Sequence, residues 1–345
     1  MPLLPTLHRP WPAFSLRYEL LKPNHLPNAD RGPICSKPIV NHRCRSKTIL
    51  TVPGKTIPAS RDRRQSKFLT GLCGCCLLLT CFSILNFSIG RAGFSFVVPP
   101  LAISLLFAAV VFSLRAATLG GTLVGAMICF DLVSWTRDYN KTLLHSALTP
   151  LLALFLLTWA ATKTRRRQKE RLGLAEPKHG RNAAQVCANL AVAALIITWL
   201  GATLLGKTLK LPFPFSYFAS LAACLAALAE ATADTLSSEL GQVFGGDPWL
   251  GFRRVAPGTD GAISLAGTLI GVAGAAAITG IGWWAFLLTP RVAAAAFFAS
   301  LIGFFADSLL GATVERAGWL GNDLVNFIST LIAALAAAVG ISLLR

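Results

Sequence analysis

The stretch "AEATADTLSSELG", 229–241, carries three carboxylates, Glu230, Asp234 and Glu239, in a chain of 345 residues with only 15 acids. Glu230 and Asp234 are four residues apart, the spacing that stacks two side chains on one face of a helix. Glu239 is five beyond Asp234, about 140° further round an ideal helix, and is expected to matter less. Further polar clusters flank this one. "GRNAAQVCAN", 180–189, sets Asn182, Gln185 and Asn189 on one helical stripe directly after Arg181. "GTDG" brings together Gly258, Thr259, Asp260 and Gly261. "ADSLLGATVE", 306–315, contains Asp307, Ser308 and Glu315, and "GNDLVNF", 321–327, contains Asn322, Asp323 and Asn326, with Thr330 extending the Asp323–Asn326 stripe. Eight of the 15 acids fall after residue 229. Isolated hydrogen bonds between helices do not explain that concentration; a functional cavity does, if these segments lie in a membrane.

Composition places them there. The chain is 54% hydrophobic and 14% charged, with a mean hydropathy of +0.60. Apolar runs of about 20 residues alternate with short polar breaks, as bilayer-spanning segments require. The runs are continuous and rich in Leu and Ala, which disfavours a β-barrel. The expected fold class is all-α, a polytopic transmembrane helical bundle. Spans are expected near 68–89, 95–114, 117–135, 143–161, 183–205, 215–236, 262–288, 292–314 and 324–344. The second holds Val98-Pro99-Pro100 and the third is glycine-rich, so either could be broken or re-entrant, leaving eight spans.

Residues 1–60 differ in kind, with nine lysines and arginines against two acids and no long apolar run. They read as a disordered basic extension, or as sequence upstream of a true start near Arg61, and 61–345 as the integral membrane domain. The net charge of +17 does not imply nucleic acid, because the basic residues cluster in loops where anionic lipid and orientation account for them. Cys73, Cys75, Cys76 and Cys81 have no histidine or acid nearby and read as packing residues. With residues 61–67 in the cytoplasm and nine alternating spans, 16 lysines and arginines fall inside and seven outside. That asymmetry predicts a cytoplasmic N-terminus and an outside C-terminus; the expected location is a bacterial inner membrane, as a multi-pass protein. The acids and amides of the polar clusters, which do not enter that count, then all reach the cytoplasmic face.

"GATLLGKT", 201–208, matches a P-loop letter for letter but ends an apolar span and runs toward Pro212 and Pro214, without the strand and helix a phosphate loop needs. It is expected to be a coincidence. "TLGGTLVG", 118–125, and "SLAGTLIG", 264–271, echo each other, as do Gly180-Arg181-Asn182 and Gly321-Asn322-Asp323. Either a parallel duplication of spans three to five and seven to nine, or chance among glycine-rich helices, would produce this.

The ordered set "GRNAAQVCAN", "ADTLSSELG", "VAPGTDGAISLAGT", "ADSLLGATVE" and "NDLVNF" resembles the membrane family once labelled domain of unknown function 92. That family includes the phytyl-phosphate kinase of tocopherol synthesis and human transmembrane protein 19. The resemblance covers residues 68–345 and is strongest from Gly180 onward. "ADTLSSELG" is also similar to a segment of CTP-dependent polyprenol kinases. The chain departs from the family at Asn189-Leu190-Ala191, where Asn-Gly-Gly is frequent, and at Glu315, where Gln is usual.

The resemblance implies transfer of a phosphoryl group from CTP or another nucleoside triphosphate to an isoprenoid monophosphate. Such a reaction needs Mg²⁺ and cations around crowded phosphate oxygens. Glu230, Asp234 and Asp307 are the expected catalytic residues and Mg²⁺ ligands, since Mg²⁺ commonly takes one or two carboxylates plus substrate phosphates. Arg181, Arg253 and Arg254 are expected to clamp phosphates, with Asn189, Ser308, Asn322, Asp323 and Asn326 as further substrate contacts. The 258–261 loop offers N–H groups leading into a helix N-terminus. The expected partners are the lipid bilayer, the isoprenoid phosphate and the nucleotide. A transporter would also show repeats and buried acids, although acids gathered toward one face suit an interfacial enzyme better. A noncatalytic membrane protein is the remaining alternative.

Overall fold

The computed structural model describes residues 57–137, 142–205 and 216–343, the side chains at 91–92 and 201–205 excepted. Most of the basic extension, and Gly206-Lys207-Thr208 of the P-loop-like match, lie outside the described residues; the first five residues of that match end a helix. The described chain is almost entirely helical: α1 (Ala59–Phe87), α2 (Phe94–Ser113), α3 (Leu119–Thr136), α4 (Leu148–Lys163), α5 (Arg166–Leu172), α6 (Ala183–Leu205), α7 (Tyr217–Phe244), α8 (Leu265–Ala285), α9 (Pro290–Leu310) and α10 (Asn322–Leu343). A two-stranded hairpin, β1 (Trp249–Leu250) with β2 (Arg253–Arg254), lies between α7 and α8.

Among the described residues, eight helices are long and apolar enough to cross a bilayer. The short element is not one of the two suspected. α2 continues through Pro99 and Pro100, which fall in its first two turns, and α3 continues through its glycines. Instead α4 has 16 residues, about 24 Å of helix at 1.5 Å per residue, against a hydrocarbon core of about 30 Å.

The helices alternate between two ends. At one end Thr118 N–H donates to the Arg181 carbonyl (2.9 Å) and Arg181 N–H to that of Ala116 (3.0 Å), joining the starts of α3 and α6. Ser66 on α1 donates to Asp323 on α10 (2.6 Å), and Lys169 on α5 pairs with Glu239 on α7 (2.5 Å) at the same end. At the other end the rings of Phe87 and Phe96 lie against Trp135, and His145 lies against Trp284. α4 runs between the two ends despite its length. The starts of α1, α3, α6, α8 and α10 therefore share an end with the finishes of α2, α4, α7 and α9.

α7 is the axis of the bundle, buried along nearly all its length and packed against α4, α6, α8, α9 and α10. Lipid tails are as apolar as leucine, so helices associate here through close van der Waals fit, which small side chains permit. The alanines of "AACLAALAEATA" supply that fit on α7. On α9, a Cβ at Gly303 would fall within 3 Å of Ala333, the Ser329 carbonyl and Glu230. α1 and α2 are peripheral and present Leu78, Leu79, Phe82, Leu105 and Leu106 outward. The seven described cysteines are free, and Cys73 is a buried packing residue.

The two echoing segments begin α3 and α8 with the same cap: Thr118 Oγ1 accepts from Gly121 N–H (3.2 Å) and Ser264 Oγ from Gly267 N–H (3.0 Å). Their packing is not repeated. α3 lies along α6, whereas α8 lies along α7 and α9 along α10.

Two outcomes check this arrangement. In a background lacking native cysteines, Glu170→Cys and Phe252→Cys should react with an impermeant thiol reagent from one side of the membrane and Arg291→Cys only from the other. Gly303→Leu should force α9 away from α7 and α10, and overpacking of about 1–3 kcal/mol should appear as a lowered thermal transition in detergent.

Candidate functional site

At the end where α6, α8 and α10 start and α7 and α9 finish, a cavity of about 270 Å³ opens, lined mainly by polar groups. Arg181 enters it from just before α6, and Gln185 and Asn189 from α6 itself. The start of α6 is fixed by a reciprocal pair, Gln185 N–H to Asn182 Oδ1 (3.0 Å) and Asn182 N–H to Gln185 Oε1 (2.8 Å), the capping box that satisfies two orphan donors. Asn182 is thereby used as the cap, while Gln185 and Asn189 face the cavity.

Asp234 on α7 and Asp307 on α9 meet in the wall within hydrogen-bonding reach, with Arg181 the nearby cation. The Arg181 guanidinium also donates to Thr235 Oγ1 (3.3 Å). Asp307 Oδ1 is buried without a hydrogen-bond partner. Ser308, Gly258, Thr259, Asp260, Gly261, Asn322 and Asn326 also line the cavity. Glu315 reaches it through a change in helical pitch. Eight residues beyond Asp307, an α-helix would carry Glu315 roughly 80° away. Residues Gly311–Glu315 instead form a π turn, with Arg316 N–H bonded to the Gly311 carbonyl (3.3 Å), and this wider turn brings Glu315 back toward Asp307.

Other expected residues stand apart. Glu230 lies one turn deeper than Asp234, buried off the cavity wall, where Oε2 accepts from Thr330 Oγ1 (2.8 Å). Asp323 turns to α1 and accepts from Ser66, so the stripe of α10 that faces inward runs Asn322, Asn326, Thr330. Arg253 and Arg254 are exposed on β2 outside the cavity, Arg254 lying 3.8 Å from Asp247 and over the Trp249 ring. The 258–261 loop lines the cavity and is tied to its surroundings by backbone hydrogen bonds at and just beyond it. Thr259, Ala262 and Ile263 donate their N–H groups to Ala256, Thr259 and Trp249. Gly261, at φ 68°, lies so close to the α9 end that a side chain would collide with Ala312.

Two wall features were not singled out from sequence. Glu176 lines the cavity from the basic loop before α6, where burial pushes its carboxyl above the ordinary range against the pull of Arg181. Lys169, fully buried, donates to Glu239 and to the Ala161 carbonyl (2.7 Å), neutralising a carboxylate on the cavity rim. Both sit in a segment whose strong positive charge conceals them. Asp260 is likewise raised by burial, with Arg316 opposing.

Among the described residues no three His, Cys, Asp or Glu side chains converge as a metal cluster. Glu230, Asp234 and Asp307 therefore form a facing pair with a third acid behind it. The pair, with its orphaned Asp307 oxygen, fits a hard cation that takes one or two carboxylates and completes its shell with water and phosphate.

Residues 102–334 match the family described as integral membrane protein DUF92. The chain is 31% identical to protein VTE6, chloroplastic, of Arabidopsis thaliana over 195 residues, 54% of this chain and 55% of that protein. It is 39% identical over 125 residues to an uncharacterized membrane protein, MJ0933, of Methanocaldococcus jannaschii, 35% of this chain and 51% of that one. A third relative, the uncharacterized membrane protein sll0875 of Synechocystis, is 30% identical over 194 residues, covering 55% and 72%. The chain thus spans about half the length of the first two. No solved structure matches. The matched region runs from within α2 to within α10 and contains every cavity-lining residue from Glu176 to Asn326. This chain belongs to the DUF92 family of integral membrane proteins.

Proposed function

We propose that this protein is a Mg²⁺-dependent isoprenoid-phosphate kinase of the phytyl-phosphate kinase type, moving a phosphoryl group from CTP or another nucleoside triphosphate to a prenyl monophosphate. The observation that carries this reading is the Asp234–Asp307 pair, with one buried oxygen unpartnered, facing Arg181 in a polar cavity at one end of an apolar bundle. Two facing carboxylates repel unless a cation or proton lies between them.

In this reading Asp234 and Asp307 hold the cation and Glu230 supports them from behind. Bound Mg²⁺ would supply neutralisation of the phosphate oxygens. Arg181 offers a guanidinium to the monophosphate, and Gln185, Asn189, Ser308, Asn322 and Asn326 offer neutral donors that orient it without excess charge. An oxygen of the prenyl monophosphate attacks the γ-phosphorus, the bond to the nucleoside diphosphate breaks, and prenyl diphosphate forms. Most of the acceleration then comes from holding the two phosphates in line. The nucleotide is cytosolic, so the cavity faces the cytoplasm, in agreement with the excess of basic residues in the loops at that end.

Purified protein given Mg²⁺, labelled CTP or ATP and a panel of isoprenyl monophosphates should form the diphosphate. Asp234→Asn and Asp307→Asn should each insert normally, lose the thermal shift that Mg²⁺ produces in the wild type, and turn over about a hundredfold more slowly or worse. The double variant should be little slower than either, because the two act as one unit. Wild-type rates in both single variants would sink the assignment.

Glu176 gives a pH-dependent expectation. Its raised carboxyl favours the folded state in the protonated form, a contribution present below the ordinary glutamate range and lost as pH rises through the elevated folded value. Thermal melts of Glu176→Gln should therefore show a gain over wild type at pH 8 that disappears at pH 4.

A further inference from the structure

We infer that the apolar groove between α2, α3, α4 and α6 receives the hydrocarbon tail of the phosphorylated substrate, with Gly125 setting how much tail it admits. The inference rests on the isoprenoid-phosphate reading and names where that substrate's other half lies. The groove, about 80 Å³, is lined by Phe107, Val111, Gly121, Gly125, Leu151 and Leu154 among others. It abuts the polar cavity, since Arg181, Gln185 and Asn189 line both. A molecule with its anionic head at Arg181 and an apolar tail along α3 would fill the two together.

The two glycines differ in what they do. At Gly121 a Cβ would strike the Arg181 carbonyl, so this glycine lets the starts of α3 and α6 touch. At Gly125, one turn on, a Cβ would meet only the Phe107 ring edge at 3.8 Å, an ordinary contact. Packing does not require glycine there, and its missing side chain leaves the groove open.

The groove also has a side door. α2 packs on α3, and its other faces carry exposed apolar residues such as Leu105 and Leu106. Phe107 of α2 and Phe155 of α4 meet edge to face, centroids 5.6 Å apart, and close the seam between those helices. A tail already dissolved in the bilayer enters by turning two rings, with no helix displaced. Lipid is as apolar as the groove, so the groove contributes little affinity and selects by shape.

A farnesyl monophosphate carrying a diazirine on its last isoprene unit tests this in the full-length protein. Photolabelling should fall on peptides containing Phe107, Gly125 or Phe155. Gly125→Leu should abolish it, while Gly125→Ala, which fits beside Phe107, keeps it and controls for folding. The ratio of kcat/KM for geranylgeranyl over dimethylallyl monophosphate should drop about tenfold or more in Gly125→Leu. Labelling confined to other helices, or a ratio and labelling pattern unchanged by Gly125→Leu, would overturn the groove. Labelling in the groove by a wild-type protein that transfers no phosphoryl group would leave the groove standing and remove the kinase reading.

Discussion

The structure depends on how closely five helices can approach α7. In a bilayer no hydrophobic force drives apolar helices together, so contact distance decides stability. Alanines along α7 and glycines such as Gly303 on α9 let backbones come near enough for dispersion and for a few interhelical hydrogen bonds, of which Thr330 to Glu230 is one. Asp307 lies one turn beyond Gly303 on the same helix. The geometry that joins α7 to α9 therefore also sets the distance between Asp234 and Asp307.

Close packing has an electrostatic consequence. Carboxylates held where water is scarce must find partners, and the chain meets this in different ways at different depths. Glu239 at the rim has a buried lysine, and Glu230 has a threonine hydroxyl on one oxygen and no partner on the other. Asp234 and Asp307 have each other and Arg181, and Asp307 keeps one oxygen unmatched.

A second consequence is the meeting of unlike surfaces. Arg181 and its neighbours on α6 stand on the boundary between a polar chamber and an apolar cleft, in a chain whose peripheral α2 is held by few neighbours. Amphiphilic ligands suit that boundary because each half finds surroundings like those it leaves, so recognition rests on shape and on the charged head.

The sequence alone determined the class of the molecule. Continuous apolar runs require helices, since a spanning chain must satisfy its backbone internally. Four-residue spacing placed Asp234, Gln185 and Asn189 on inward faces, and loop alternation gathered the polar clusters at one end. Tertiary structure decided what pattern cannot reach. Periodicity reads a stripe but not which neighbouring helix it meets, so Asp323 turns to α1 while Asn322 faces the cavity. Spacing on α7 could not show that Glu230 lies too deep to line the chamber. Nothing local marks the π turn that returns Glu315 to the site. Lys169 and Glu176 look like loop charges until α5 folds against α7. Helical phase is written in local order, but depth, helix pairing and burial come only from how the bundle closes around α7.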